Sequence, residues 1–275
     1  MCALKTIKWS RYQEKIIHTY MDTYKILLEE DDLSPNNEII NRVLTELVSM
    51  ISKPLDQHVA EEILNHDEIR SIRDTMLEKL TIAETLMEDH YAKLFVGSVN
   101  SLDDFRSFIY WDNYKELIQT EINELNKVKN DIRSFAFVGT GPLPLSPLLL
   151  QRELGAKMTC LDIDEQAHSL GRRIVQELDK EGDSDYILND GALHDYTGFD
   201  LVWIASLVPN KEEIMERIYQ TNPDATVAIR SVDGIHQLLY EPVDATKFSK
   251  VACEEVGRTI ADSLIINSTI YYTFK

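Results

Sequence analysis

The chain has 275 residues, 44% of them hydrophobic, enough for one large domain or two smaller ones with an ample core. Its 47 acidic residues outnumber 28 basic ones, and the formal net charge of −19 argues against nucleic acid or an anionic membrane as a partner. Three scattered cysteines, Cys2, Cys160 and Cys253, form no C-x-x-C pair, so neither a metal site nor a disulfide framework is expected and a reducing, cytoplasmic setting fits.

Residues 1–20 carry charges throughout, so no secretory signal is expected, and no apolar run reaches the length needed to span a bilayer. From Ile7 to Leu28 the residues Trp9, Tyr12, Ile16, Ile17, Tyr20, Tyr24 and Leu27 recur at helical spacing. Ser34-Pro35-Asn36-Asn37 separates this helix from a second one, whose stripe of Ile39, Ile40, Val43, Leu44, Leu47, Val48 and Ile51 stops at Lys53-Pro54. A short helix is expected over 56–64, and a long one from Asp67 to about Phe95, broken by Gly97 to Asn100. Ser101 and Asp104 make a variant capping box that opens another helical segment, and the pattern is helical again from Trp111 to about Asn126. Residues 1 to about 130 therefore read as an all-helical domain.

Past Arg133 the period changes. Phe135–Val138 reads as a strand, Leu145–Leu154 as a helix with Gly155 at its C-cap, Met158–Leu161 as a second strand, and Gln166 to about Leu178 as a helix. Further strands are expected at Tyr186–Leu188, Phe199–Ile204 and Ala225–Ile229, with a helix over Glu212–Tyr219 before the last of them. Lys250–Glu254 and Leu264–Thr273 close the chain as strands able to form an antiparallel hairpin at the sheet edge. Strands alternating with helices imply an α/β domain with a doubly wound parallel sheet over 131–275.

The first strand runs into Gly139-Thr140-Gly141-Pro142, a tight turn at the strand's carboxyl end, where α/β sheets bind nucleotide-like ligands. Pro144 stands where the dinucleotide fingerprint needs its third glycine. About 20 residues on, the second strand ends at Asp162-Ile163-Asp164, placed to accept hydrogen bonds from ribose hydroxyls. Asp190 ends the third strand within reach of an adenine amino group, and Ala205 follows the fourth. So acidic a pocket suits a positive sulfonium better than phosphates, which favours S-adenosylmethionine over a dinucleotide. In the helical half, spacing alone does not separate the clusters Glu88–Tyr91 and Phe108–Tyr114 from ordinary core packing.

The wording of these motifs resembles the nicotianamine synthase family over about residues 80–275. Phe137-Val-Gly-Thr-Gly-Pro-Leu-Pro-Leu145 is similar to the family's F-V-G-[SG]-G-P-L-P-L, and Asp162-Ile-Asp164 to its D-I-D. Ile229 to Tyr240 is similar to L-R-S-x-x-G-x-x-x-x-L-Y, and Ile265 to Ser268 to V-I-N-S. Ala83 to Tyr91 resembles A-E-x-L-L-E-x-H-Y, and Tyr110 to Tyr114 resembles Y-Y-x-N-Y. The first eighty residues match only in helical character and length.

The resemblance implies a helical N-terminal domain covering a Rossmann-like domain of the class I methyltransferase type that binds S-adenosylmethionine. The reaction it implies is transfer of the 3-amino-3-carboxypropyl (2-aminobutanoyl) group to an amine, with release of methylthioadenosine. It places Glu88 and Tyr114 at the catalytic centre, Arg230 as a carboxylate clamp, and Tyr110, His90 and Tyr240 on the substrate side. Glu84, one turn before Glu88, is a rival for the carboxylate role. The expected product is an intermediate of opine-type metallophore biosynthesis, made by one transfer to a free amino acid, histidine first, and passed to an opine dehydrogenase. The enzyme itself would need no metal, and an exposed helical face could support a homodimer. The runner-up is a nicotianamine-type enzyme using several S-adenosylmethionine molecules. A small-molecule methyltransferase and a non-catalytic binding module on the same fold stand behind it.

Overall fold

The computed structural model describes residues 10–53, 55–179, 182–262 and 264–275. Cys2 and the start of the expected first helix, Ile7 to Trp9, lie outside the described residues. Helix α1, Arg11–Glu29, opens on a capping box in which Ser10 Oγ accepts from Gln13 N while the Gln13 side chain accepts from Ser10 N. Helices α2, Glu38–Ile51, and α3, Gln57–Leu64, start at Asn37 and Asp56, whose side chains accept from first-turn amides. Their apolar stripes, with Ile16, Tyr20 and Leu27 from α1, Leu47 and Ile51 from α2, and Ile63 from α3, close one core.

Helix α4, Asp67–Phe95, has 29 residues. At about 1.5 Å per residue it is roughly 44 Å long, the reach of a whole domain. Ile69, Met76 and Ala83 along its first five turns enter the helical core, and its last turns put Ala92 and Phe95 into a second core shared with the sheet. The segment opened by Ser101 is a 3-10 turn, Leu102–Ser107, rather than a longer helix. The Asp104 carboxylate takes the amides of both Asn100 and Ser101 there, which holds the turn tight. Helix α5, Trp111–Val128, then lays Ile118, Ile122 and Leu125 on the sheet core.

The sheet has seven strands in the order β3-β2-β1-β4-β5-β7-β6. They are β1 Ser134–Val138, β2 Lys157–Asp162, β3 Ser184–Leu188, β4 Leu201–Ile204, β5 Thr226–Val232, β6 Cys253–Arg258 and β7 Asn267–Phe274. Strands β1 to β5 are parallel, and β7 inserts antiparallel between β5 and β6, so the expected edge hairpin is present. Both of its strands start later than the sequence pattern suggests, and before β7 Asp262 Oδ1 takes the amides of Leu264 and Ile265. Helices α6 Leu145–Leu154, α7 Glu165–Leu178 and α8 Lys211–Thr221 complete a Rossmann-like fold. Every residue of β4 and β5 is buried, as strands covered on both faces require. Strand order reverses at β1 and β4, which opens a crevice at their carboxyl ends.

Four contacts lock α4 to the sheet layers. Arg73 Nε donates to Gln237 O at 2.9 Å, and the Tyr240 hydroxyl donates to Glu84 at 2.8 Å. Gln166 Nε2 donates to Asp89 at 2.5 Å, and the Gly97 amide donates to both Glu177 oxygens, at 2.8 and 3.0 Å. In return Ile235, Leu238 and Leu239, just after β5, enter the helical core. Residue 130 therefore marks the change from helices to alternating strands, while both cores draw on residues from either side of it.

Gly171 of α7 tests this packing, because a Cβ there would lie 2.6 Å from the Tyr186 ring, which is buried. Gly171→Ala gains helix propensity but overpacks a closed site, a net loss of about 1–2 kcal/mol. Thermal unfolding should show a lower Tm; an unchanged or higher Tm would show that Tyr186 moves freely.

Candidate active site

The site is built on the turn after β1. The amides of Gly139 and Thr140 donate to Leu161 O, and Thr140 Oγ1 donates to Phe137 O, so the turn is pinned to β2. Gly139 and Gly141 hold φ of +76° and +71°, the left-handed region that favours glycine. A Cβ at Gly139 would meet Val208 Cγ2 at 2.2 Å, so the loop after β4 also needs a glycine at this position. Gly141 is held through all its polar atoms. Its amide donates to Asp162 Oδ2 at 2.7 Å, and its carbonyl accepts from the Tyr186 hydroxyl at 2.6 Å.

Glu88 closes over this turn from the helical side. A Cβ on Gly141 would stand 2.6 Å from Glu88 Oε2, so the carboxyl rests against the bare glycine backbone. The Tyr114 hydroxyl donates to Glu88 Oε1 at 3.1 Å. Glu84, one turn earlier on the same face of α4, accepts from the Tyr240 hydroxyl. Burial pushes Glu84 up to about 7, against the lowering effects of Tyr240 and Arg230. Burial, with the Glu84 charge behind it, pushes Glu88 up to about 8, while the Tyr114 hydrogen bond pulls the other way. Burial also holds the Tyr114 hydroxyl protonated, as a donor. Phe108, 2% exposed, is the hub that orients the phenols: Tyr91, Tyr110 and Tyr114 all pack edge-on to it, with ring centroids 4.9 to 5.8 Å away.

Beside Glu84 lies a cavity of about 540 Å³. It is lined by Glu84, His90, Tyr110, Tyr114 and Tyr240 together with apolar side chains, among them Ile40, Leu44 and Val48 of α2 and Ile265 and Ile266 before β7. A second depression on the outer face of α2, between Glu38 and Ser49, is open surface away from these groups.

The structure thus brings Glu88, Tyr114, Gly139, Thr140, Gly141 and Asp162 together at the turn, and His90, Tyr110 and Tyr240 around the cavity. Pro142 is buried beside the turn. Ile163 is 69% exposed and offers a free apolar side chain next to Asp162; Leu193, 71% exposed, lies beyond β3. Asp190 Oδ1 accepts from the Ala192 amide at 2.8 Å and shapes its own turn, and the Ala205 amide is bonded to Val138 O.

Two of the expected site residues have partners within the chain. Asp164 is the N-cap of α7, its Oδ1 accepting from Ala167 N at 2.7 Å, because the first-turn amides of that helix need an acceptor. Of the acidic pair, Asp162 alone faces the glycine turn. Arg230, expected as a carboxylate clamp, forks its Nε and Nη2 onto Glu121 at 2.9 and 3.0 Å, and its Nη1 donates to Ser146. A guanidinium this deep in β5 requires a charged partner, and Glu121, 0% exposed, supplies it while also accepting from Thr269 Oγ1.

Sequence reasoning missed Glu121 and Tyr186. Glu121 sits inside the apolar stripe Leu117, Ile118, Ile122 and Leu125 of α5, a charge on a buried face that should announce a buried partner. Tyr186 carried no sequence signal beyond its place in a strand. Among the described residues no cluster of three or more His, Cys, Asp or Glu is arranged to hold a metal. Cys160 is buried, with its thiol pushed up to about 12 by burial, and no helix of the described residues is long and apolar enough to cross a membrane.

A Rossmann-like sheet roofed by helices that drop a carboxyl onto its glycine turn belongs with the small-molecule transferases. More narrowly, this chain belongs to the nicotianamine synthase family: the family description "Nicotianamine synthase protein" matches residues 9–273. It is 28% identical to a nicotianamine synthase of Solanum lycopersicum, over 91% of this chain and 82% of that one. It is 30% identical to nicotianamine synthase 9 of Hordeum vulgare, over 88% of this chain and 74% of the relative. An L-histidine 2-aminobutanoyltransferase of Pseudomonas aeruginosa is 36% identical over 47% of this chain and 51% of its own. The crystal structure of MtNAS in complex with MTA and tNA superposes with a TM-score of 0.83 at 20% identity, over 98% of this chain and all of that one, which confirms the fold.

Two measurements check the site. Arg230→Met breaks a buried pair and leaves Glu121 uncompensated, so denaturant unfolding should lose about 3–5 kcal/mol. An arginine that served only as a substrate clamp would leave stability unchanged. Glu88 titrates higher in the folded chain than its ordinary value of 4.5, so it disfavours the fold increasingly as pH climbs from about 4.5 through about 8. Glu88→Gln should match the parent in Tm near pH 4.5 and exceed it by several degrees at pH 8; a constant difference across that range would contradict a buried, raised Glu88.

Proposed function

We propose that the chain transfers the 3-amino-3-carboxypropyl group of S-adenosylmethionine to the amine of a free amino acid, histidine first, and releases methylthioadenosine. The observation that carries the reading is the meeting of the Glu88 carboxyl with the Gly141 turn, next to Tyr114, which itself lines the cavity. The crevice offers a donor site, with glycine backbone, the Asp162 carboxylate and the exposed Ile163. The cavity offers an acceptor site. Glu88 and Tyr114 stand where the two would react.

A sulfonium can be attacked at any of its three carbons, and the one presented in line with the nucleophile reacts. Here the acceptor nitrogen forms a bond to the terminal methylene of the amino-acid arm, the carbon–sulfur bond breaks, and its electron pair stays on sulfur. Before or during attack the acceptor ammonium must lose a proton. Amines titrate at about 8 to 10, so an ordinary carboxylate is a poor match as base. A Glu88 raised to about 8 brings the two nearly level, so that molecules in which Glu88 is ionised can take the proton at little cost. Tyr114, which stays protonated, donates to the carboxylate and fixes its direction.

The Pseudomonas aeruginosa relative supports a single transfer to histidine. The plant relatives, which match about nine-tenths of the chain, support the second reading, several transfers in series. A single-transfer product would suit an opine dehydrogenase as the next enzyme.

Incubation with S-adenosylmethionine and mixed amino acids, read by mass spectrometry, should give methylthioadenosine and histidine carrying one aminobutanoyl group. Several additions in series would favour the second reading, and S-adenosylhomocysteine would overturn both. Glu88→Gln should keep S-adenosylmethionine affinity and lose roughly 100-fold or more in kcat; full turnover by that variant would remove Glu88 from the mechanism.

A further inference from the structure

The two carboxyls on α4 face different spaces. Glu88 rests against the glycine turn, on the donor side. Glu84 lines the cavity and is held there by the Tyr240 hydroxyl at 2.8 Å. Among the described residues that line this cavity there is no lysine or arginine. The nearest cation of the network, Arg230, has both fork nitrogens on Glu121. The cavity therefore presents one carboxylate, the His90 imidazole, several phenols and amides, and a set of apolar side chains.

We propose that Glu84, positioned by Tyr240, anchors the ammonium group of the acceptor, and that this carboxylate restricts acceptors to amino acids with neutral or basic side chains. The inference rests on the transfer reading above and adds a division of labour: Glu84 binds the amine, and Glu88 takes its proton. An α-carboxylate is common to every amino-acid acceptor. A second carboxylate, on a glutamate or aspartate side chain, would enter a space that already holds an anion and has no lysine or arginine to meet it. Like charges a few ångströms apart in a shielded site disfavour binding strongly, whereas an ammonium beside Glu84 is favoured by the same field.

The groups facing Glu84 are Tyr240 from the segment after β5, Tyr110 and Tyr114 at the start of α5, Arg230 of β5 and Glu88 on its own helix. Of these, Tyr240 and Arg230 favour the ionised carboxylate. Glu84 reaches about 7, so acceptor affinity should fall as pH drops below that value. Removing the Tyr240 hydroxyl should move this limb to higher pH.

The test is equilibrium binding of histidine and glutamate to the full chain loaded with methylthioadenosine, by calorimetry, beside steady-state kinetics with each acceptor. The wild type should bind histidine and discriminate against glutamate. Glu84→Gln should weaken histidine roughly 10-fold or more, raise its KM in step, change kcat by only a few fold, and narrow the histidine-to-glutamate ratio. S-adenosylmethionine affinity should be unchanged, and Glu84→Asp should recover part of the loss. Tyr240→Phe should shift the acidic limb of histidine affinity upward in pH, which a purely structural hydroxyl would not do.

Glu84→Gln with unaltered histidine affinity, or a wild type that takes glutamate as well as histidine, would overturn the proposal. Should Glu84→Gln fail to fold, the Tyr240→Phe pH limb decides: a limb that does not move overturns it. Glu84-dependent histidine binding without any aminobutanoyl product would uphold this inference and defeat the transfer reading, so the two failures are distinguishable.

Discussion

The site depends on one constraint: α4 must run unbroken from the helical core into the sheet core. Twenty-nine residues of continuous helix allow Ile69 and Met76 to pack among α1–α3 while Ala92 and Phe95 pack over the sheet. Glu84 and Glu88 fall at the crossover, one turn apart on one face. Rigid attachment at Arg73, Asp89 and Gly97 fixes the height of that face above the β1 turn. The close approach of Glu88 to Gly141 then follows, and it requires that position 141 carry no Cβ.

Electrostatics works outward from the same place. Two carboxyls in a shielded cleft cannot both ionise freely, and the pair is best regarded as sharing protons between them. The Arg230 charge lies close enough to bias both, yet its hydrogen bonds are committed to Glu121 and Ser146. That arrangement keeps a cation near the site without letting it neutralise either carboxylate directly. The phenols of Tyr114 and Tyr240 do the directional work, each donating to one carboxyl from a different side of the cavity.

Much of the fold is legible in the sequence, since it is carried by local periodicity. The change of period after Arg133, the glycine turn and the alternating strands define the sheet, and Gly155 caps α6 in the left-handed conformation as a C-cap glycine does. The site is legible only in part. Spacing exposes the turn and Asp162, but Glu88 and Tyr114 stand out by their family wording, because a glutamate on a polar helix face has no local mark of function. Partners far apart in sequence are hidden from any local pattern: Glu121 and Arg230 are 109 positions apart, and Glu84 and Tyr240 are 156. Asp164 is ambiguous for the opposite reason, since an aspartate directly before a helix serves equally as a cap, the role it has here, or as a ligand to ribose.

The protonation of Glu88 ties packing to chemistry, because only a carboxyl pressed onto the turn and shielded by α4 and Tyr114 would hold its proton at neutral pH. A carbon-13 NMR titration of the glutamate carboxyls, with the Glu88 signal assigned by its loss in Glu88→Gln, measures this directly. Glu88 should titrate at about 8, far above the ordinary 4.5. Titration in the ordinary glutamate range would mean that the carboxyl is open to water, and would contradict the proposed meeting of acid and glycine turn.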